Sequence, residues 1–138
     1  MLDLPLHPIV VHFPLALLAL AWVCLVIHYV RGSDVWSQRA GLLEAAGVVA
    51  LLPTVVAGFV DTRGIGFMIH ARWDAPLIWH TIGGLTATAV FVGHYLWRRR
   101  LSELPTGALA VVDLGFVTLG FWLLVLTGTI AGEMVYVT

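Results

Sequence analysis

The sequence predicts an all-α integral membrane protein: a four-helix bundle of two helical hairpins, related by a pseudo-two-fold axis along the membrane normal. Three observations carry that expectation. Of 138 residues, 60% are apolar and only 11% charged, and the mean hydropathy of +0.98 is far above that of a soluble domain. Four stretches are each long enough to cross a bilayer, whose apolar core takes about 20 helical residues. The second half of the chain also echoes the first.

Helix 1 is expected over about 9–30 (IVVHFPLALLALAWVCLVIHYV), because roughly 20 apolar residues in one run span the hydrocarbon layer. The leader MLDLPLHP has an acid and no Arg or Lys, so it lacks the basic start of a secretory signal. Helix 2 is expected over about 40–60, helix 3 over about 75–97 and helix 4 over about 107–132, by the same length argument. Helices 1 and 3 contain no Asp, Glu or Arg. Helices satisfy their own backbone groups in lipid, and at this length one domain covering 1–138 is expected. Gly83, Gly84 and Gly93, and the pair Gly128 and Gly132, allow close helix approach. Trp36, Trp73, Trp79 and Trp97 lie near the predicted boundaries, where indole rings favour the headgroup zone.

Lysine is absent, and the arginines set the orientation. Arg31, Arg39, Arg98, Arg99 and Arg100 fall in the loops after helices 1 and 3, against Arg63 and Arg72 on the other side. That asymmetry places the two basic loops in the cytoplasm, with both termini facing outward. In a bacterium this is the inner membrane with both ends periplasmic. A net charge of −1 gives no electrostatic case for nucleic acid. Cys24 is the single cysteine and lies within helix 1, so no disulfide framework exists. No Gly-rich phosphate loop, nucleophile elbow or CxxCH haem-attachment site occurs. This excludes the common soluble hydrolases. The helix centres hold no Asp, Glu or Arg, which suits two shallow sites better than a transport pathway.

The internal echo is clearest at the ends of helices 1 and 3. VIHYVR closes the first, with His28, and VGHYLWR the third, with His94. Upstream lie Pro8 and His12 in one, Pro76 and His80 in the other. Helix 2 opens with Glu44 and helix 4 with Asp113; the hairpins end in Asp61 and Glu133. The matched pairs are not equally spaced: the offset grows from His28/His94 through His12/His80 to Asp61/Glu133, which a repeat accommodates only by changes of loop length.

Ionisable groups inside membrane helices usually face the interior and mark function. His12 and His80 sort to one level, His28 and His94 to another, roughly 20–24 Å away at 1.5 Å per residue. One histidine from each of two helices at matched depth is what bis-imidazole ligation of a b-type haem requires. His28 with His94, and His12 with His80, are therefore candidate cofactor ligands for one haem or two. His80 and His94 share a face; His12 and His28 stand about 160° apart in a straight helix, which fits poorly, and His7 suits His28 better by angle. Glu44 and Asp113 either orient His28 and His94 through the distal ring nitrogen or pair with Arg39 and Arg98–Arg100. Each histidine alone also has a bland reading as an interfacial side chain. A rival site is a transition metal ion at the outer mouth, held by His7, His12, Asp61, His70 and His80 with Glu133 nearby; nitrogen and carboxylate donors suit zinc, copper or non-haem iron.

The opening HPIVVHFPLALL, with Gly58-x-x-Asp61, His80 and the small-residue ending before Val135-Tyr136, resembles the bacterial membrane family catalogued as domain of unknown function 2231. The resemblance implies a four-helix inner-membrane protein, in a family sometimes joined to cytochrome c-like or other redox modules. It singles out His7, His12, Asp61 and His80. The expected function is a membrane-embedded b-type haem protein passing electrons within or across the membrane in a respiratory or photosynthetic system. Lipid, other membrane redox subunits or a cytochrome, and quinone are the expected partners. The alternatives are a cofactor-free accessory subunit of a larger membrane complex, or a metal-binding membrane module.

Overall fold

The computed structural model describes residues 6–62 and 75–136. Over them the chain forms α1 (Leu6–Arg31), α2 (Asp34–Thr62), α3 (Ala75–Arg98) and α4 (Gly107–Tyr136). All four contain stretches long and apolar enough to span a membrane. The apolar runs are the centres of longer helices. α2 starts at Asp34 rather than near 40, because the Asp34 carboxylate lies in its first turn, where it meets the positive end of the helix dipole. Gly32, at φ 65°, closes α1: its N–H bonds the His28 carbonyl at 2.7 Å. This left-handed helix ending costs glycine little.

α1 packs on α2 and α3 on α4, and the two hairpins meet along an α1–α4 seam and an α2–α3 seam. α1 and α3 therefore lie on a diagonal. The core is built on Leu18, Leu25, Phe91, Leu51 and Val117. The outside is just as apolar, with Leu42, Val49, Val111 and Leu126 exposed. Lipid removes the hydrophobic drive between helices, so close packing must hold the bundle. A Cβ at Gly47 would lie 2.6 Å from the Leu18 side chain, and one at Gly120 2.8 Å from the Phe91 ring. The α1–α4 seam is fixed by Trp22, which stacks on Phe121 at 4.5 Å and donates from Nε1 to Thr118 Oγ1 at 3.0 Å.

These contacts recur in one register. Leu18 on Gly47 corresponds to Phe91 on Gly120, and the Thr54 hydroxyl bond to the Ala50 carbonyl corresponds to that of Thr127 to Leu123. Each residue of the first hairpin is separated from its counterpart in the second by the same number of positions. That register is longer than the offsets between the similar-looking histidines, and it places Ala21, not His28, opposite His94.

Candidate functional site

Two polar groupings stand at opposite ends of the bundle. At the end where α1 begins, the His7 amide, one of the helix-start donors that lack an intrahelical acceptor, donates to Asp61 Oδ2 at 2.8 Å. Asp61 thus caps α1 from the last turn of α2, its charge at the favourable end of the α1 dipole. Its Oδ1 is buried without a hydrogen-bond partner among the described residues. The His7 ring lies against Gly58, whose missing Cβ would sit 3.1 Å from Nδ1.

His7 Nδ1 is 2.9 Å from the Thr54 carbonyl, and His80 Nδ1 is 3.1 Å from the Thr127 carbonyl. In both pairs the threonine follows its histidine by 47 residues, so the two contacts are counterparts in the recurring register. A carbonyl only accepts, so each Nδ1 is the donor, and each neutral ring carries its lone pair on Nε2. Pinning one ring nitrogen on an acceptor is how ligating histidines are commonly oriented. The two rings are 5.8 Å apart between centroids, at 90°. They project from diagonal helices and meet at one level.

This pairing corrects the expected one. His12 is exposed on α1 and it is His7 that meets His80. The step from His7 to His12 turns about 140° around the helix, so both cannot face the bundle interior. Glu133 is likewise exposed, and His70 lies outside the described residues. Among the described residues, no three His, Cys, Asp or Glu side chains are grouped to hold a metal ion.

At the other end, where Arg98, Arg99 and Arg100 lie, His94 is buried between two acids. Its Nδ1 is 2.6 Å from Glu44 Oε1 and its Nε2 2.9 Å from Asp113 Oδ1. Asp113 Oδ2 accepts from the Tyr29 hydroxyl at 2.7 Å, and Arg98 Nε is 3.4 Å from Asp113 Oδ1. Arg98 also donates to Ser37 Oγ at 2.7 Å. All four helices thus contribute to one network: Tyr29 from α1, Glu44 from α2, His94 and Arg98 from α3, Asp113 from α4. Trp97 and Phe116 pack beside the His94 ring.

The expected inner ligand pair is not assembled here. Both nitrogens of His94 are engaged by carboxylates, which leaves none for iron, and His28 pairs its Nδ1 with the Ser33 carbonyl at 3.0 Å. Glu44 and Asp113 do orient a histidine, but both act on His94. Arg39 instead covers the Trp36 ring. The residues alone pointed to Tyr29 only as part of the His-Tyr motif, not as a partner of Asp113; for the two threonine carbonyls the legible clue was the recurrence of His, Gly and Thr in one register.

No curated protein and no solved structure matches the chain. A family model described as "Predicted membrane protein (DUF2231)" matches residues 3–138, and the chain belongs to that family.

Proposed function

We propose that this protein is a b-type haem carrier that passes electrons within or across a bacterial inner membrane, with His7 and His80 as axial ligands. The observation that carries the reading is the facing of these two imidazoles, each held through Nδ1 by a threonine carbonyl. Two rings joined to one metal by bonds of about 2.0–2.1 Å hold their bonded nitrogens about 4 Å apart, with centroids near 6 Å. The 5.8 Å separation suits that. Two donors complete the axial set of a haem, whereas a bare ion asks for three or four protein ligands. Ala57 and Gly84 supply little side-chain bulk on the neighbouring turns of α2 and α3, while Gly58 and Gly83 make room for the His7 ring and the Thr127 hydroxyl.

Haem, when bound, supplies a one-electron couple; the chain supplies the ligands, their orientation and a low-dielectric site. The arginine distribution favours a cytoplasmic arginine end and a periplasmic His7 end. Membrane redox subunits, a cytochrome or quinone are then the partners to seek.

The test is a reduced-minus-oxidised visible spectrum, with iron and zinc counted per chain, on wild-type protein and on His7→Ala, His80→Ala and His94→Ala. A low-spin b-type spectrum that His80→Ala or His7→Ala abolishes and His94→Ala leaves intact is expected. A band that survives His80→Ala overturns the ligand assignment. A colourless protein that takes up no added haem overturns the carrier reading, and bound zinc or copper in it moves the site to a metal ion.

A further inference from the structure

The network at the arginine end plays no part in the proposed haem site, and its hydrogen bonds contain a chemical requirement of their own. An ionised carboxylate only accepts hydrogen bonds, and a neutral imidazole offers one N–H. His94 nevertheless places both ring nitrogens against carboxyl oxygens, at 2.6 and 2.9 Å. Two such bonds require two protons. The triad therefore holds one proton more than a neutral ring between two carboxylates would carry.

The surroundings indicate where that proton resides. Asp113 is already matched: it accepts from Tyr29 and lies beside the Arg98 guanidinium, so it is the settled anion and keeps the Nε2 proton of His94 in place. Glu44 is paired with His94 alone among the described residues. The additional proton is consequently shared between Glu44 Oε1 and His94 Nδ1, whichever atom carries it. The Glu44 side chain retains 5% exposure where His94 and Asp113 have none. It also borders a groove of about 330 Å³ lined in part by Ser37, Gln38, Tyr95, Arg98 and Arg99.

We infer that Glu44, His94 and Asp113 form a buried proton-exchange site, which binds and releases one proton through this groove with Glu44 as its port. Release balances simply: the proton leaves to water at the groove, and a Glu44 carboxylate faces an Nδ1 lone pair. Two acceptors cannot stay 2.6 Å apart, so Glu44 turns toward the groove, where Arg98 and Arg99 offer positive charge. Uptake reverses the movement. The groups facing His94 are Glu44 from α2 and Asp113 from α4, with Tyr29 of α1 and Arg98 of α3 reaching it through Asp113. Among the described residues, the side-chain ties between α2 and α3 at this end are His94 to Glu44 and Arg98 to Ser37. Proton occupancy therefore sets how tightly α2 is held to α3.

The test is nitrogen NMR of the full chain in detergent micelles or nanodiscs, with ¹⁵N-labelled histidine, titrated over about pH 4 to 10 to bracket carboxylate and phenol values. His94→Gln identifies the resonances. In wild type, the His94 Nδ1 signal is expected to move from protonated to unprotonated type. Glu44→Gln keeps the size but removes the carboxylate that shares the proton, and its amide can donate to a bare Nδ1, so the Nδ1 step should move to lower pH or be lost. Asp113→Asn should keep a step at Nδ1 with a moved midpoint. Wild-type His94 nitrogens that do not change across the window overturn the inference, as does a step in Glu44→Gln equal to that of wild type. Helix content by circular dichroism checks that each variant is folded. The readout needs no bound haem, so the two proposals fail separately.

Discussion

Removing Asp113 should destabilise the bundle considerably more than removing Glu44, although both touch the same imidazole. Asp113→Ala strips partners from His94 Nε2, from the Tyr29 hydroxyl and from Arg98. Breaking a buried charged contact by deleting one partner costs about 3–5 kcal/mol. The neutral interhelical hydrogen bond of Tyr29 adds little, since such bonds in membranes average about 0.6 kcal/mol. The total is therefore about 3.5–5.5 kcal/mol. Glu44→Ala leaves His94 free to become neutral while keeping its N–H on Asp113, so the loss is that of one unsatisfied buried group, about 1–3 kcal/mol. The gap of about 2.5 kcal/mol between the midpoints is roughly a sixty-fold difference in the unfolding constant, at about 1.4 kcal/mol per factor of ten. Converting Glu44, His94 and Asp113 together to Leu should cost less than the single changes summed, because the imidazole and both acids leave together and Arg98, the one charge left without its anion, keeps its bond to Ser37. Reversible unfolding in mixed micelles, followed by tryptophan fluorescence, measures all of these; Trp97 lies 5.8 Å from the His94 ring. A Glu44→Ala cost equal to or above that of Asp113→Ala would refute the assignment of Asp113 as the compensated anion. So would a triple variant whose cost matches the sum.

Two further outcomes concern the glycines. Gly120→Ala drives a Cβ to 2.8 Å from the rigid Phe91 ring and should cost about 1–3 kcal/mol as overpacking; Gly93→Ala meets nothing within 4 Å and should gain about 0.5–1 kcal/mol. Thermal midpoints in detergent should move in opposite directions. Gly58→Ala places its Cβ 3.1 Å from His7 Nδ1, so it should lower the haem retained per chain more than it lowers the thermal midpoint; equal retention by the variant and wild type refutes the role of that contact.

The four spans were legible because lipid as a solvent demands long, apolar, self-bonded segments, and no tertiary effect overrides that demand. The site was only half legible, for a geometrical reason. In the register at which contacts recur, the counterpart of His94 is Ala21, one heptad before His28. A heptad is nearly two helical turns, a shift that preserves the helix face while moving depth by roughly 10 Å. The His-Tyr motifs therefore look matched in rotation and are not matched in level. The counterpart of His80 is His7, and the step from there to His12 is about 140° of rotation, which turns His12 outward. For Glu44 and Asp113 the residues left two readings open, orienting the histidines or pairing with the arginines, and Asp113 does both, contacting His94 and Arg98; that both acids meet on His94 is not written into any one helix alone. The extension of α2 to Asp34 was hidden for a simpler reason: hydropathy marks where lipid ends, and the helix continues beyond it.

The threonine-pinned histidines occur as a matched pair, while the carboxylate-flanked histidine occurs once, opposite Ala21. An object seated between His7 and His80 meets two chemically equivalent hands, and these give it no reason to prefer one way round over its reverse. Handedness must come from a group without a twin. Asp61 is such a group: its counterpart in the same register is Met134. One carboxylate beside one of two like hands gives an unsymmetrical guest a left and a right.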